Sequence, residues 1–101
     1  MIEIIRRIEA IGDSWASETL TALRAMSPSA LCWTLKALQR GACLTLSQCL
    51  ATELALTRAT MRHHDFAEGV RAMVVDKDRT PRWQPSRIEE VDPAEIAGLF
   101  R

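Results

Sequence analysis

A chain of 101 residues, 48% apolar and 26% charged, has the makeup of one small globular domain or of a piece of a larger one. Its thirteen basic and thirteen acidic residues cancel, which excludes the basic stripe that nucleic acids require and the polybasic face that anionic membranes attract. No apolar run approaches the roughly 20 residues that cross a bilayer, and no basic start leads into an apolar stretch and a small-residue cleavage site. We therefore expect a cytoplasmic protein with no nucleic-acid partner and no membrane contact. Three cysteines, Cys32, Cys43 and Cys49, are odd in number and unpatterned, and read as reduced thiols serving as small apolar side chains. A metal site is not expected. Zinc would have to recruit His63 and His64, and neighbouring helical positions turn about 100° apart.

The elements read as helix after helix. Ile4, Ile5, Ile8 and Ile11 recur at spacings of three and four, one face of a first helix that Gly12 and Asp13 end. Trp15, Ala16, Thr19, Leu20, Leu23 and Met26 make a second stripe of the same period. Ser27-Pro28 starts a third helix, because serine caps free amides and proline fits the first turn. That helix, from Pro28 to about Arg40 with Gly41 as its stop, carries two apolar faces: Leu31, Leu35 and Leu38, then Ala30, Trp33 and Ala37. Thr45 with Gln48 forms a capping box that opens a fourth helix running to about His63, with Leu46, Cys49, Leu50, Leu54, Thr57 and Met61 turned inward. Asp65 with Glu68 repeats the box, and Phe66, Val70, Met73 and Val74 define a fifth helix.

After Val75 comes a charged turn, Asp76-Lys77-Asp78-Arg79, then an extended segment of Pro81, Trp83 and Pro85 that its aromatic pins down. Ser86 with Glu89, and Asp92-Pro93 with Glu95, start two short terminal helices. The fold class is all-α: a small bundle of about five helices plus two short C-terminal ones, without a sheet.

Catalytic signals are thin. There is no glycine-rich phosphate loop and no serine between glycines. Glu68 and Arg71, one turn apart, suit an exposed ion pair. Asp65 beside His64 can orient an imidazole for acid–base work, though a capping role is the simpler reading. Lys77, just past the fifth helix, can meet the last helical carbonyls or reach a ligand phosphate. Spacing alone leaves both open.

Residues 65–83 carry a more specific pattern: Asp65-Phe66-Ala67-Glu68-Gly69-Val70-Arg71-Ala72, then Asp76-Lys77-Asp78, then Pro81 and Trp83. This resembles the C-terminal signature of the 3-hydroxyisobutyryl-CoA hydrolases, in the enoyl-CoA hydratase/isomerase (crotonase) superfamily. Ser27-Pro28-Ser29, Leu44 to Leu50 with Glu53, and Ile88-Glu89-Glu90-Val91 extend the likeness over the whole chain.

The resemblance implies that 1–101 is a single helical domain like the C-terminal region of a crotonase-type acyl-CoA hydrolase, with the catalytic core absent. In that family the core supplies the oxyanion hole and catalytic acids for hydrolysis of a 3-hydroxyacyl-CoA thioester in valine breakdown. None of those motifs stands in this sequence, so no catalytic residue is assigned, and whether the chain belongs to an enzyme stays open. The implied role is a lid and assembly domain, not catalytic alone; the alternative is a stand-alone helical interaction module. The implied partners are a crotonase-type core chain or further copies of the chain in a homo-oligomer. No cofactor is expected on the chain by itself, coenzyme A thioester being the intact family's substrate. Lys77 matches a family position near the coenzyme A phosphates and is the one candidate binding residue. Asp76, Glu68 and Arg71 are expected to fasten the fifth helix, and Gly69 to admit a close partner segment.

Overall fold

In the computed structural model, which describes residues 1–100, six α-helices and two short helical turns follow one another, with no strand among the described residues. The all-α expectation holds. α1 (Ile2–Ile11) ends where Gly12 takes a φ of 70°, which glycine adopts without penalty. Asp13, expected as part of that stop, instead opens α2 (Ser14–Arg24), its carboxylate accepting from the Ala16 amide at 2.8 Å. α2 packs on α1, and Arg24 reaches back to Glu9.

α3 (Pro28–Gly41) starts as the sequence indicates, with the Ser27 hydroxyl accepting from the Ala30 amide at 3.2 Å. Gly41 is its last helical residue. The capping box of Thr45 and Gln48 forms reciprocally, at 3.2 and 2.9 Å, and starts α4 (Leu46–Thr60). α4 stops three residues short of His63, because His63 is itself the cap of α5 (His64–Val70) and accepts from the Asp65 amide at 3.1 Å. The expected Asp65 cap is therefore corrected: an imidazole does that work and frees the aspartate for another.

α5 is also shorter than its apolar pattern suggested. At Arg71 the chain widens into a π-turn (Arg71–Val75), closed by the Asp76 amide donating to the Arg71 carbonyl at 2.8 Å. The first expected terminal helix is a single 3-10 turn (Ile88–Glu90) with no side-chain cap, and the second is α6 (Pro93–Gly98), capped by Asp92. α6 lies against α3, where the Arg40 guanidinium sits 5.3 Å from the centre of the Phe100 ring. Trp33 of α3 meets His63 edge-on, with ring centres 5.2 Å apart.

Little is enclosed. Ala16, Leu20, Ala72 and Ile96 are the buried apolar side chains, joined by Pro28. α4 shows why. Leu46, Leu50, Leu54 and Met61 do form one stripe at helical spacing, but it faces out, and Leu46 is 76% exposed. The periodicity was right about the stripe and silent about its direction, since a stripe faces its partner wherever that partner lies. None of the three tryptophans is buried.

The shortfall has a size. The accessible surface is 7186 Å², whereas a compact monomer of 11.3 kDa exposes about 5,700 Å². The radius of gyration, 14.8 Å, likewise exceeds the about 13 Å of a compact chain of this length. The surplus, more than about 1,000 Å², exceeds the ~800 Å² that each partner gives to a standard protein interface.

Candidate functional site

Three arrangements converge where α5 meets the segment after it. The first is centred on Arg71. Its guanidinium forks onto Glu68, with Nε to Oε1 at 2.5 Å and Nη2 to Oε2 at 3.0 Å. The same side chain donates to Asp76 at 2.9 Å and to Asp78 at 2.6 Å. Glu68 accepts in addition from the Arg82 amide at 2.8 Å, which ties α5 to the extended segment. Arg71, then the Arg82 amide, hold the Glu68 carboxyl at about 2, below its ordinary 4.5, and Arg71 likewise lowers Asp78. The expected exposed pair is thus a half-enclosed four-residue cluster, and Glu68, Arg71 and Asp76 fasten this helix as anticipated.

Lys77 sits on the rim of that cluster. It has a φ of 55° and Arg79 a φ of 57°, two positive values in one short turn of residues with side chains. The Arg79 amide donates to the Ala72 carbonyl at 3.0 Å, folding the turn back over the π-turn. Both carboxylates beside Lys77 are engaged by Arg71, and Lys77 itself forms no ion pair or hydrogen bond with another described residue. It does not meet the last helical carbonyls. The residue is exposed.

The second arrangement is buried. Asp65, 4% exposed, accepts from the Ser27 hydroxyl on Oδ2 at 2.5 Å and from the Gln84 amide on Oδ1 at 2.8 Å, while His64 Nδ1 lies 2.9 Å from the same Oδ1. One carboxylate joins the start of α3, the start of α5 and the extended segment. Serine, aspartate and histidine meet here without forming a hydrolytic triad. The serine hydroxyl donates to the aspartate instead of to the imidazole, so the histidine is not placed to take its proton as a triad requires. Sequence reading missed this hub, for its partners lie 38 and 19 residues away.

The third is an open apolar groove of about 910 Å³, walled by Leu23, Met26, Leu31, Phe66, Val70 and Met73. Trp83 also lines it, its indole N–H donating to the Ala25 carbonyl at 3.1 Å. The ring packs against Gly69, where a Cβ would stand in ordinary contact, 3.4 Å from the indole edge. The close partner expected at Gly69 is thus a side chain. Such a groove offers mainly hydrocarbon contact, with Ser27, Asp65 and Arg79 also in its wall. Among the described residues no three histidine, cysteine or acidic side chains cluster as a metal cage would need, and no helix is long and apolar enough to cross a membrane.

With this geometry in view, the chain's likenesses are consistent. Residues 1–100 match the family model described as enoyl-CoA hydratase/isomerase. The chain is 41% identical over 101 residues to the mitochondrial 3-hydroxyisobutyryl-CoA hydrolase of Gallus gallus, covering 100% of this chain and 26% of that protein. It is 41% identical over 99 residues to the mitochondrial 3-hydroxyisobutyryl-CoA hydrolase of Homo sapiens, covering 98% of this chain and again 26% of the relative. A crystal structure of an enoyl-CoA hydratase from Rhodobacter sphaeroides 2.4.1 superposes with a TM-score of 0.89 at 43% identity, over 98% of this chain and 30% of that one. The chain therefore spans about a quarter of the length of the curated relatives it matches. Their mitochondrial names overturn the cytoplasmic expectation. Neutral charge and reduced thiols suit either compartment, so composition held no address. The chain belongs to the enoyl-CoA hydratase/isomerase family.

Proposed function

We propose that residues 1–101 form a single helical domain, the C-terminal portion of a 3-hydroxyisobutyryl-CoA hydrolase-like protein, serving as lid and assembly surface and not catalytic alone. The observation that carries this reading is the unpartnered apolar surface: an outward stripe on α4, an open groove, and a surplus larger than one side of an ordinary interface. A helical bundle that worked alone would turn those residues inward. The partner that suits them is a crotonase-type core or a further copy of the chain. Relatives named for hydrolysis of a coenzyme A thioester supply the substrate class of the whole assembly.

In this reading Lys77 is a contact to the phosphates of coenzyme A. Its ammonium, like the Arg79 guanidinium two residues on, has no ion-pair partner among the described residues, in a turn whose carboxylates are otherwise engaged, and a point charge on a long stem suits a phosphate. No described residue combines an activated nucleophile with an oxyanion hole, so the domain alone has no route to a tetrahedral intermediate. The test is turnover of 3-hydroxyisobutyryl-CoA and crotonyl-CoA by the purified chain, followed by free-thiol release and by hydration. No turnover is expected; activity that tracks the chain through purification overturns the reading.

A further inference from the structure

Lys77 is flanked in sequence by Asp76 and Asp78, an unpromising setting for binding an anion. Either carboxylate is placed to take the ammonium as its own partner, and either repels an approaching phosphate. The structure turns both toward Arg71 and away from the ammonium as hydrogen-bond partners. Arg71 Nη1 donates to Asp76 at 2.9 Å and to Asp78 at 2.6 Å, while Nε and Nη2 hold Glu68. One guanidinium thus serves three carboxylates. The π-turn makes this reach available, because the Asp76 amide bonds to the carbonyl of Arg71 itself and brings the acidic turn back over that side chain.

We propose that Arg71 is a positioning residue for anion binding at Lys77. By engaging Asp76 and Asp78 it keeps their charges off the Lys77 ammonium, which then faces a phosphate instead of closing on its neighbours. The inference rests on the reading of Lys77 as a coenzyme A contact. The role is electrostatic, and that separates it from a brace. A brace loses its effect whichever end of the bridge is removed. Charge withdrawal is needed only while the carboxylates are charged.

The experiment is a titration of the chain with coenzyme A at low ionic strength, where exposed charges are least screened, read by the backbone amide resonances of the 76–80 turn. Pantetheine, which lacks the phosphates, is the control ligand. Coenzyme A serves here as a phosphate-bearing probe of the turn, since the chain by itself is expected to hold no cofactor tightly; wild type is expected to shift weakly but saturably with it and not with pantetheine. Lys77→Ala is expected to lose about tenfold in affinity, in the range of a charge-assisted contact. Arg71→Ala is expected to lose a similar factor. Asp76→Asn with Asp78→Asn is expected to bind at least as well as wild type, and the same pair added to Arg71→Ala is expected to restore binding.

Unchanged affinity in Lys77→Ala, or no saturable shift in wild type, overturns the reading of Lys77 and this inference with it. A weakened Lys77→Ala beside an unaffected Arg71→Ala overturns the inference alone. So does a tenfold loss in the double asparagine variant, which would make the bridges a brace. That variant keeps Arg71 and Glu68, so it decides the question even if circular dichroism shows Arg71→Ala to have lost its helices.

Discussion

Gly69 of α5 and the Trp83 ring sit against one another, with 3.4 Å between the ring edge and the place where a Cβ would stand on the glycine. That distance is ordinary van der Waals contact, so a methyl fits where a longer side chain does not. Gly69→Ala is expected to hold stability within about 1 kcal/mol of wild type, the helix preference for alanine acting in its favour. Gly69→Leu should cost ~1–3 kcal/mol by overpacking and drive the indole from the Ala25 carbonyl. The Trp83 indole N–H resonance reports it: unchanged in the alanine variant, moved to a solvent-exposed position in the leucine one.

Asp65 is the buried acceptor for the Ser27 hydroxyl and the Gln84 amide. Asp65→Ala leaves those donors without a partner at about 1–3 kcal/mol for each that stays dry. A fall in the urea midpoint equivalent to about 2 kcal/mol or more is expected. Ser27→Ala should cost less, about 1 kcal/mol, mostly as the lost cap of α3. If Asp65→Ala unfolds at the wild-type midpoint, the carboxylate does not join the three segments.

Acid should act through Glu68. Its folded-state value, about 2, lies below the ordinary 4.5, so its contribution to stability is complete above pH 4.5 and is lost as the pH falls toward 2. Asp78 is lowered too and adds loss in the same direction. Urea midpoints at pH 6 and pH 2.5 should therefore differ more for wild type than for Glu68→Gln, which has no proton to take up. Equal acid loss in both proteins would place the sensitivity elsewhere.

The α4 stripe is accessible to a direct trial. Leu46 and Leu50 are exposed, so replacing both with glutamate should change the stability of the lone chain by no more than about 0.5 kcal/mol per site. It should also lower the mass seen by light scattering toward 11.3 kDa. Wild type is expected to run as a dimer or larger at micromolar concentration. A wild-type monomer at every concentration would favour a stand-alone module over an assembly surface.

What the sequence made legible was local. The caps at Ser27, Thr45 and Asp92 are each set by residues within three positions of one another, and each forms in the structure. Helix ends that depend on distant segments were misplaced. Asp65 reads as a cap until Gln84 and Ser27 arrive from elsewhere, after which His63 caps α5 in its stead. The extent of α5 failed for a related reason, because the π-turn brings Asp76 and Asp78 onto Arg71, a gain that no periodicity of apolar residues records. Lys77 stood out only through the motif around it. The engagement of its acidic neighbours required the fold.

The outward apolar surface has one more effect, on what stability means for this chain. The five buried apolar side chains among the described residues hold little of the free energy that keeps a helical bundle folded. Whatever covers the α4 stripe and the groove binds the folded chain and not the unfolded one, so by mass action it adds to folding free energy, about 2.7 kcal/mol at a hundredfold excess over its dissociation constant. In the assembly proposed above, the melting temperature of the chain is expected to depend on concentration, rising as the solution is made stronger or the partner is added. A midpoint measured at one dilution describes that dilution, and the intrinsic quantity is the slope of midpoint against concentration.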